Sequence, residues 1–463
     1  MTANDNSSKK VSVYKQWIVG FIATTTMLTY GMQSGWVSPA ITVLQSETSP
    51  AGYPLSDYDI SLIASGISVL ATFTAVIYGY ISDCIGRRWT LIVIVIPQIL
   101  CFALKLVSAH PICLMVSQAL AGVAGGGVFT VAPIYIKEIA QDSLRGILGS
   151  SGMFLGILGQ LIMYAMGGYM SYYTVLWIVV WLPILNLVSL FKIPESPAFL
   201  IKKGKVEEAT KVMAWLRGVE ENDKEVERDI LIAKNEIATY ENLPAVSWKT
   251  IISNKISRRA LCLSFLALTL LDLGGNYAIL VYASVILKDS GVTISPELQA
   301  LSFPALLALG CLLSVFTVEK FGRKPLMITS AILIGVPLAI LGALLLIQQN
   351  GGSFPSWLSV VCISACLYAS GLLYPIPYVV MSEIFSIELR TKVLGVIVTS
   401  GWLFCALQAI LFTPISEYFG RHTLFFGFAC VNFIGAGLVY ITMPETKGKT
   451  VEQIEKEFGA KIH

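Results

Sequence analysis

The sequence predicts an all-α membrane protein whose twelve transmembrane helices fall into two matching halves. Three observations carry that expectation. Of the 463 residues, 55% are hydrophobic and only 13% charged, with a mean hydropathy of +0.72, so the chain cannot cover a compact body with polar surface. Apolar runs close to the roughly 20 residues that cross about 30 Å of hydrocarbon recur along it. Two turns between such runs echo each other: Gly79-Tyr80-Ile81-Ser82-Asp83-Cys84-Ile85-Gly86-Arg87-Arg88 and Val318-Glu319-Lys320-Phe321-Gly322-Arg323-Lys324. Each places an acid, a glycine and two basic residues between spans, as repeats built around a midplane site do.

The runs of the first half cover 17–37, 60–80, 89–109, 112–134, 147–168 and 173–193. A polar start, 1–14, leads straight into the first of them without a small-residue cleavage site, which reads as an anchor and not a cleaved signal. The first half is thus expected over 15–193, stopped by Pro194 and Pro197. The segment 194–258 is charged, with apolar residues at helical spacing (Val206, Ala209, Val212, Met213, Leu216, then Val226, Ile230, Ala233, Ile237), as in short amphipathic helices lying on a membrane face; Pro244 ends the last. The second half, 259–443, holds runs at 260–284, 298–318, 326–347, 357–382, 393–414 and 422–443, and 444–463 is a polar tail.

Charge sets the expected orientation. Lys9, Lys10, Lys15, Arg87, Arg88, Lys137, Arg145, Lys320, Arg323, Lys324, Arg390 and Lys392 gather in alternate turns, while the other loops carry little beyond Lys288 and Arg421. The basic side is expected in the cytoplasm, with both termini, in a multi-pass protein of the cell membrane. The net charge of +3 reflects these lopsided loops and indicates no nucleic-acid surface. Nine cysteines lie in spans or at the basic turn and read as small buried residues; the three histidines are scattered, so neither a metal site nor a cofactor is expected. Lys105, near the outer end of the third span, is expected to snorkel to the interface and receives no role. Glycines at three- and four-residue spacing (Gly31 and Gly35; Gly122 with Gly125, Gly126 and Gly127; Gly149, Gly152, Gly156, Gly159) present side-chain-free strips to neighbouring helices.

Charges at the hydrocarbon edge are costly unless paired. Asp83 with Arg87 and Arg88, Glu138 with Arg145, Glu319 with Arg323 and Lys324, and Glu383 with Arg390 all fall where a span meets the basic side. Positive-inside anchoring explains the bases but not the acids. The expectation is an ion-pair gate between the halves, completed by Glu195 and Glu445, that forms when this side closes and breaks when it opens.

Taken with Pro133-Ile134-Tyr135-Ile136-Lys137-Glu138-Ile139-Ala140 and Arg145-Gly146, Pro194-Glu195-Ser196-Pro197, Pro375-Ile376-Pro377-Tyr378, and Pro444-Glu445-Thr446-Lys447-Gly448, these turns resemble the sugar-porter branch of the major facilitator superfamily in order and over nearly the whole chain. Gly35-Trp36-Val37-Ser38-Pro39 is similar to the insect facilitated trehalose transporters. The resemblance implies two six-helix bundles, joined by cytoplasmic helices, that rock about a central polar cavity without covalent chemistry. It also implies facilitated passage of a small-molecule solute, trehalose or a hexose, across the bilayer.

The pocket departs from the family pattern. Span seven reads Leu271-Asp272-Leu273-Gly274-Gly275-Asn276-Tyr277 where paired glutamines are usual; Met153, Tyr378 and Gly401 replace a glutamine, a tryptophan and an asparagine. Gln33, Gln160, Asn276, Tyr277, Tyr378 and Trp402 remain as candidate contacts for a sugar, together with Asp272, an intramembrane carboxylate. By alignment with proton-linked relatives, Gln33 and Gln118 stand at the Asp and Arg positions of the coupling pair, and two neutral amides exchange no proton. A transporter of a different organic solute and a non-transporting nutrient receptor are the alternatives. An enzyme is disfavoured, since Gly435-Ala436-Gly437 lies inside a span and lacks a nucleotide site's strand and helix context.

Overall fold

The computed structural model describes residues 5–242, 248–289, 296–385, 387–449 and 451–460. Twelve spans follow one another: α1 (Asp5–Gly35), α2 (Asp57–Ile85), α3 (Arg87–Val107), α4 (Pro111–Ile139), α5 (Asp142–Tyr169), α6 (Tyr172–Val179 with Trp181–Leu190), α7 (Lys255–Asp272 with Asn276–Asp289), α8 (Pro296–Phe321), α9 (Arg323–Gln349), α10 (Trp357–Leu373 with Ile376–Ile384), α11 (Ile387–Phe419) and α12 (Arg421–Thr442). Eleven of these are long and apolar enough to cross a membrane on composition alone. The first is the more polar one. Its Thr24, Thr25, Thr26 and Thr29 donate their hydroxyls to carbonyls one turn back, which satisfies them inside an apolar environment.

Between the halves lie the short helices Pro197–Lys202, Val206–Arg217, Lys224–Asn242 and Trp248–Ser253. Ala209, Met213, Leu216, Val226 and Ile230 are their buried face, as the spacing predicts. Pro244 lies outside the described residues. A last amphipathic helix, Val451–Ala460, buries Ile454 and Phe458 against α7 and α10.

The glycine strips are helix crossings. A Cβ at Gly31 would collide with the Gly156 carbonyl oxygen, and Gly35 and Gly159 press α1 and α5 together in the same way. Gly122 and Gly126 do so for α4 on α2, and Gly310 with Gly371 for α8 on α10. Gly149 meets nothing within 4 Å and belongs to no crossing.

Two expectations change. Span seven is not continuous: it stops at Asp272, turns through Leu273-Gly274-Gly275 with Gly275 at φ +99°, and restarts at Asn276. Asn432 on α12 donates to the Gly274 carbonyl at 3.0 Å and so satisfies the broken backbone. Lys105 does not snorkel. Its side chain is fully buried inside the first half, with Nζ 3.9 Å from the Trp36 ring centroid and 5.6 Å from that of Phe102, so aromatic faces stand in for water around it.

Candidate functional site

At the linker end the two halves repeat one another residue for residue. Gly86 (φ +103°) and Gly322 (φ +91°) each turn the chain into a helix N-terminus, and a glutamate carboxylate sits where their side chains would be. Glu195 accepts from the backbone N–H groups of Arg87 (2.9 Å) and Arg88 (3.0 Å); Glu445 accepts from those of Arg323 (2.9 Å) and Lys324 (3.1 Å). A carboxylate on the positive end of a helix satisfies donors that have no partner inside the helix. Arg87 then pairs with Glu138 at 3.0 Å and with Asp83 at 3.1 Å, and Arg323 with Glu383 at 2.8 Å. Oε2 of each helix glutamate also accepts a hydroxyl from the motif after the last span of its half, Ser196 for Glu138 and Thr446 for Glu383. Arg88 and Lys324 donate to the carbonyls of Phe191 and Tyr440.

The expected gate residues are therefore brought together as two clusters, one per half. None of the described pairs crosses between halves, because at this end the halves stand apart. The side chains of Arg145, Glu319 and Arg390 lie outside the described residues.

A cavity of about 1670 Å³ runs from the first half's cluster to the middle of the protein. Arg87, Lys137, Glu138 and Lys202 line its mouth; Gln160, Asp272, Asn276, Tyr277, Tyr378 and Trp402 line its depth. At the far end the halves meet. Ser61 on α2 donates to the Ala409 carbonyl on α11 at 2.8 Å, Ser68 donates to the Tyr277 hydroxyl at 2.9 Å, and Tyr164 on α5 donates to the Leu280 carbonyl. The protein is thus open at the linker end and closed at the other.

The cavity candidates differ in what they offer. Asn276 Oδ1 is buried without a partner, an acceptor free for a hydroxyl. Gln160 gives its Nε2 to Ser34 at 3.0 Å, and the Tyr277 hydroxyl is taken up by the closure. Trp402 meets Tyr30 and Phe129 edge to face across the halves, with centroids 6.0 and 5.7 Å apart. The sequence reading missed Tyr30, Phe129 and Tyr374, all on the cavity wall. Tyr30 lies within one turn of Gln33, but apolar helices carry many aromatics and nothing marks these three.

Gln33 is a correction. It is fully buried away from the cavity, inside the first half, where Nε2 donates to the Gln98 carbonyl at 3.0 Å while Gln98 donates to that of Thr26 at 2.9 Å. On α1 it faces α3, whereas Gly31 and Ser34 face the cavity, since residues separated by one or two positions point to different sides of a helix.

Comparison with known proteins agrees with this architecture. Residues 14–458 match the family model described as sugar (and other) transporter. The chain is 25% identical over 452 residues to the facilitated trehalose transporter Tret1 of Culex quinquefasciatus, covering 97% of this chain and 87% of that one. It is 25% identical over 457 residues to the Tret1-2 homolog of Drosophila simulans, covering 97% and 92%. Among solved structures, the partially occluded inward open conformation of the xylose transporter XylE from E. coli superposes with a TM-score of 0.78 at 20% identity, covering 94% of this chain and 100% of that one. The inward open conformation of the same transporter gives 0.78 over 96% and 99%. With two halves that repeat their charged turns around one cavity, and a family match spanning nearly every residue, the chain belongs to the sugar (and other) transporter family, the sugar-porter branch of the major facilitator fold.

Proposed function

We propose that the protein carries a sugar, trehalose or a hexose, down its gradient by alternating access, with the linker end in the cytoplasm and the cell membrane as its site. The observation that supports this most is the large central cavity that is open at one end, sealed by contacts between the halves at the other, and lined in its depth by Asn276, Gln160 and aromatic side chains that include Tyr30, Tyr374, Tyr378 and Trp402. Aromatic faces take the C–H side of a pyranose and amides take its hydroxyls. In this reading the structure is the inward-facing state, and the outward-facing one forms when the contacts of Ser61, Ser68 and Tyr164 break and the charged clusters of the two halves approach.

Gln33 and Gln118 are both fully buried and carry no charge, which supports facilitated diffusion. Uptake of radiolabelled trehalose, glucose and fructose in oocytes should be saturable, bidirectional and unchanged by a protonophore. Accumulation against a gradient that collapses with the protonophore would overturn the uncoupled mechanism.

Trp402→Ala removes one ring of the cavity wall and its two edge contacts. The half-saturation concentration for the transported sugar should rise by about tenfold, from roughly 1–3 kcal/mol of lost aromatic contact. An unchanged value would place the sugar elsewhere in the cavity.

A further inference from the structure

We propose that the preferred solute is a sugar bearing a protonated amine, with Asp272 as the counterion of its ammonium group. The proposal rests on the sugar reading above and deepens it.

Asp272 is the last residue of the first half of α7, at the broken midpoint of that span. Its carboxylate therefore stands at the negative end of a helix dipole, among carbonyls without partners inside the helix, where a second negative charge is disfavoured and a cation is attracted. The surroundings do little to offset this. Its described side-chain contact is the weak donor Cys405 Sγ, 3.9 Å from Oδ1, and among the described residues no lysine or arginine forms an ion pair with it. Gln408 Nε2 satisfies the main-chain carbonyl at 2.6 Å and leaves the carboxylate alone.

Space has been made for that carboxylate. Oδ2 lies over Gly401, where any Cβ would come within 2.5 Å of it. Gly401, Asp272, Tyr374, Tyr378 and Trp402 share one stretch of cavity wall. Hydroxyls of a neutral sugar are served as well by an amide, with no charge to desolvate. A carboxylate within a membrane span repays its cost when its partner is charged. Among cations, a hard metal ion needs six or more oxygen ligands, and the described residues hold no group of three or more acids, cysteines and histidines that would supply them. Aromatic rings around a single carboxylate suit an ammonium.

The test is uptake by oocytes of radiolabelled glucosamine, N-acetylglucosamine, glucose and trehalose. N-acetylglucosamine keeps the nitrogen but not its charge. The half-saturation concentration for glucosamine should lie about tenfold or more below those for glucose and N-acetylglucosamine, the scale of one charge-assisted hydrogen bond. Asp272→Asn should bring the ratio of the two half-saturation values close to one, and so should Gly401→Ala, which displaces the carboxylate without removing it. Gly401→Ala decides the matter if the asparagine variant does not reach the membrane. Equal handling of glucosamine and glucose by the wild type overturns the proposal and leaves the sugar reading standing. A ratio unchanged in both variants, or a preference that exists only with sodium present, overturns it as well. If none of the four sugars moves, the sugar reading falls and this proposal with it.

Discussion

Gly31→Ala should leave little folded protein in the membrane, while Gly156→Ala, on the other side of the same contact, should be tolerated. The two glycines look equivalent in the sequence. A Cβ on Gly31 would overlap the carbonyl oxygen of Gly156, backbone that cannot rotate aside, whereas a Cβ on Gly156 would meet Met27 O at 3.7 Å, an ordinary van der Waals distance. Relieving the first overlap requires α1 to move off α5, with Gly35 and Gly159 also losing their seats. The cost should be about 3 kcal/mol or more, the upper part of what overpacking a formed core costs. Lipid does nothing to pull the helices back, because it solvates apolar side chains as well as a neighbouring helix does. Size-exclusion profiles of fluorescent fusions in detergent, run beside surface labelling, check both variants. Gly437→Ala, where a Cβ meets nothing within 4 Å, serves as the neutral control. Equal yields of the Gly31 and Gly156 variants would show that the helices adjust freely at this crossing.

How much of this was legible in the sequence depends on the physics behind each signal. The spans were readable because hydrocarbon thickness imposes a length and an apolar content on every crossing helix. The charged turns were readable because Glu195, Glu445 and their partners recur at matching places in both halves, and what recurs twice has a structural reason. Their pairing within each half was not readable. Spacing alone cannot say which acid an arginine meets when several spans end on one face. The cavity was only partly legible. Asn276, Tyr378 and Trp402 do line it, but Gln33 does not, because a polar side chain in a span faces either a cavity or a neighbouring helix and the same residue types serve both. Lys105 misled for a related reason: its position near a helix end suits snorkelling, and the Trp36 ring that receives it comes from the chain just past the end of α1.

Arg323→Glu should lower the melting temperature sharply and abolish uptake, and Arg87→Glu should do the same from the other half. Both arginines are buried, 5% and 8% exposed, so solvent screens their pairs little. Arg323 binds Glu383 through Nε and Nη2, gives Nη1 to the Val318 carbonyl at 3.2 Å, and its backbone N–H is held by Glu445. A glutamate there loses the three guanidinium bonds and sets two carboxylates against each other, a change expected to cost about 3–5 kcal/mol, as breaking a buried pair does. The clusters hold three span ends and the following motif together in each half: α2, α3, α4 and Pro194-Glu195-Ser196 in the first, α8, α9, α10 and Glu445-Thr446 in the second. Failure of either should therefore loosen a whole half and not a single helix. Because these pairs lie within the halves even with the linker end open, the loss should appear in the melting of detergent-purified protein without any substrate present. A pure gate between the halves would spare it. Combining Arg323→Glu with Glu383→Arg should recover part of the melting temperature, since opposite charges again meet, but not all of it, since the Val318 carbonyl loses its donor. If the single variants melt and transport like the wild type, the arginines only anchor the chain at the membrane face and the repeated acids need another explanation.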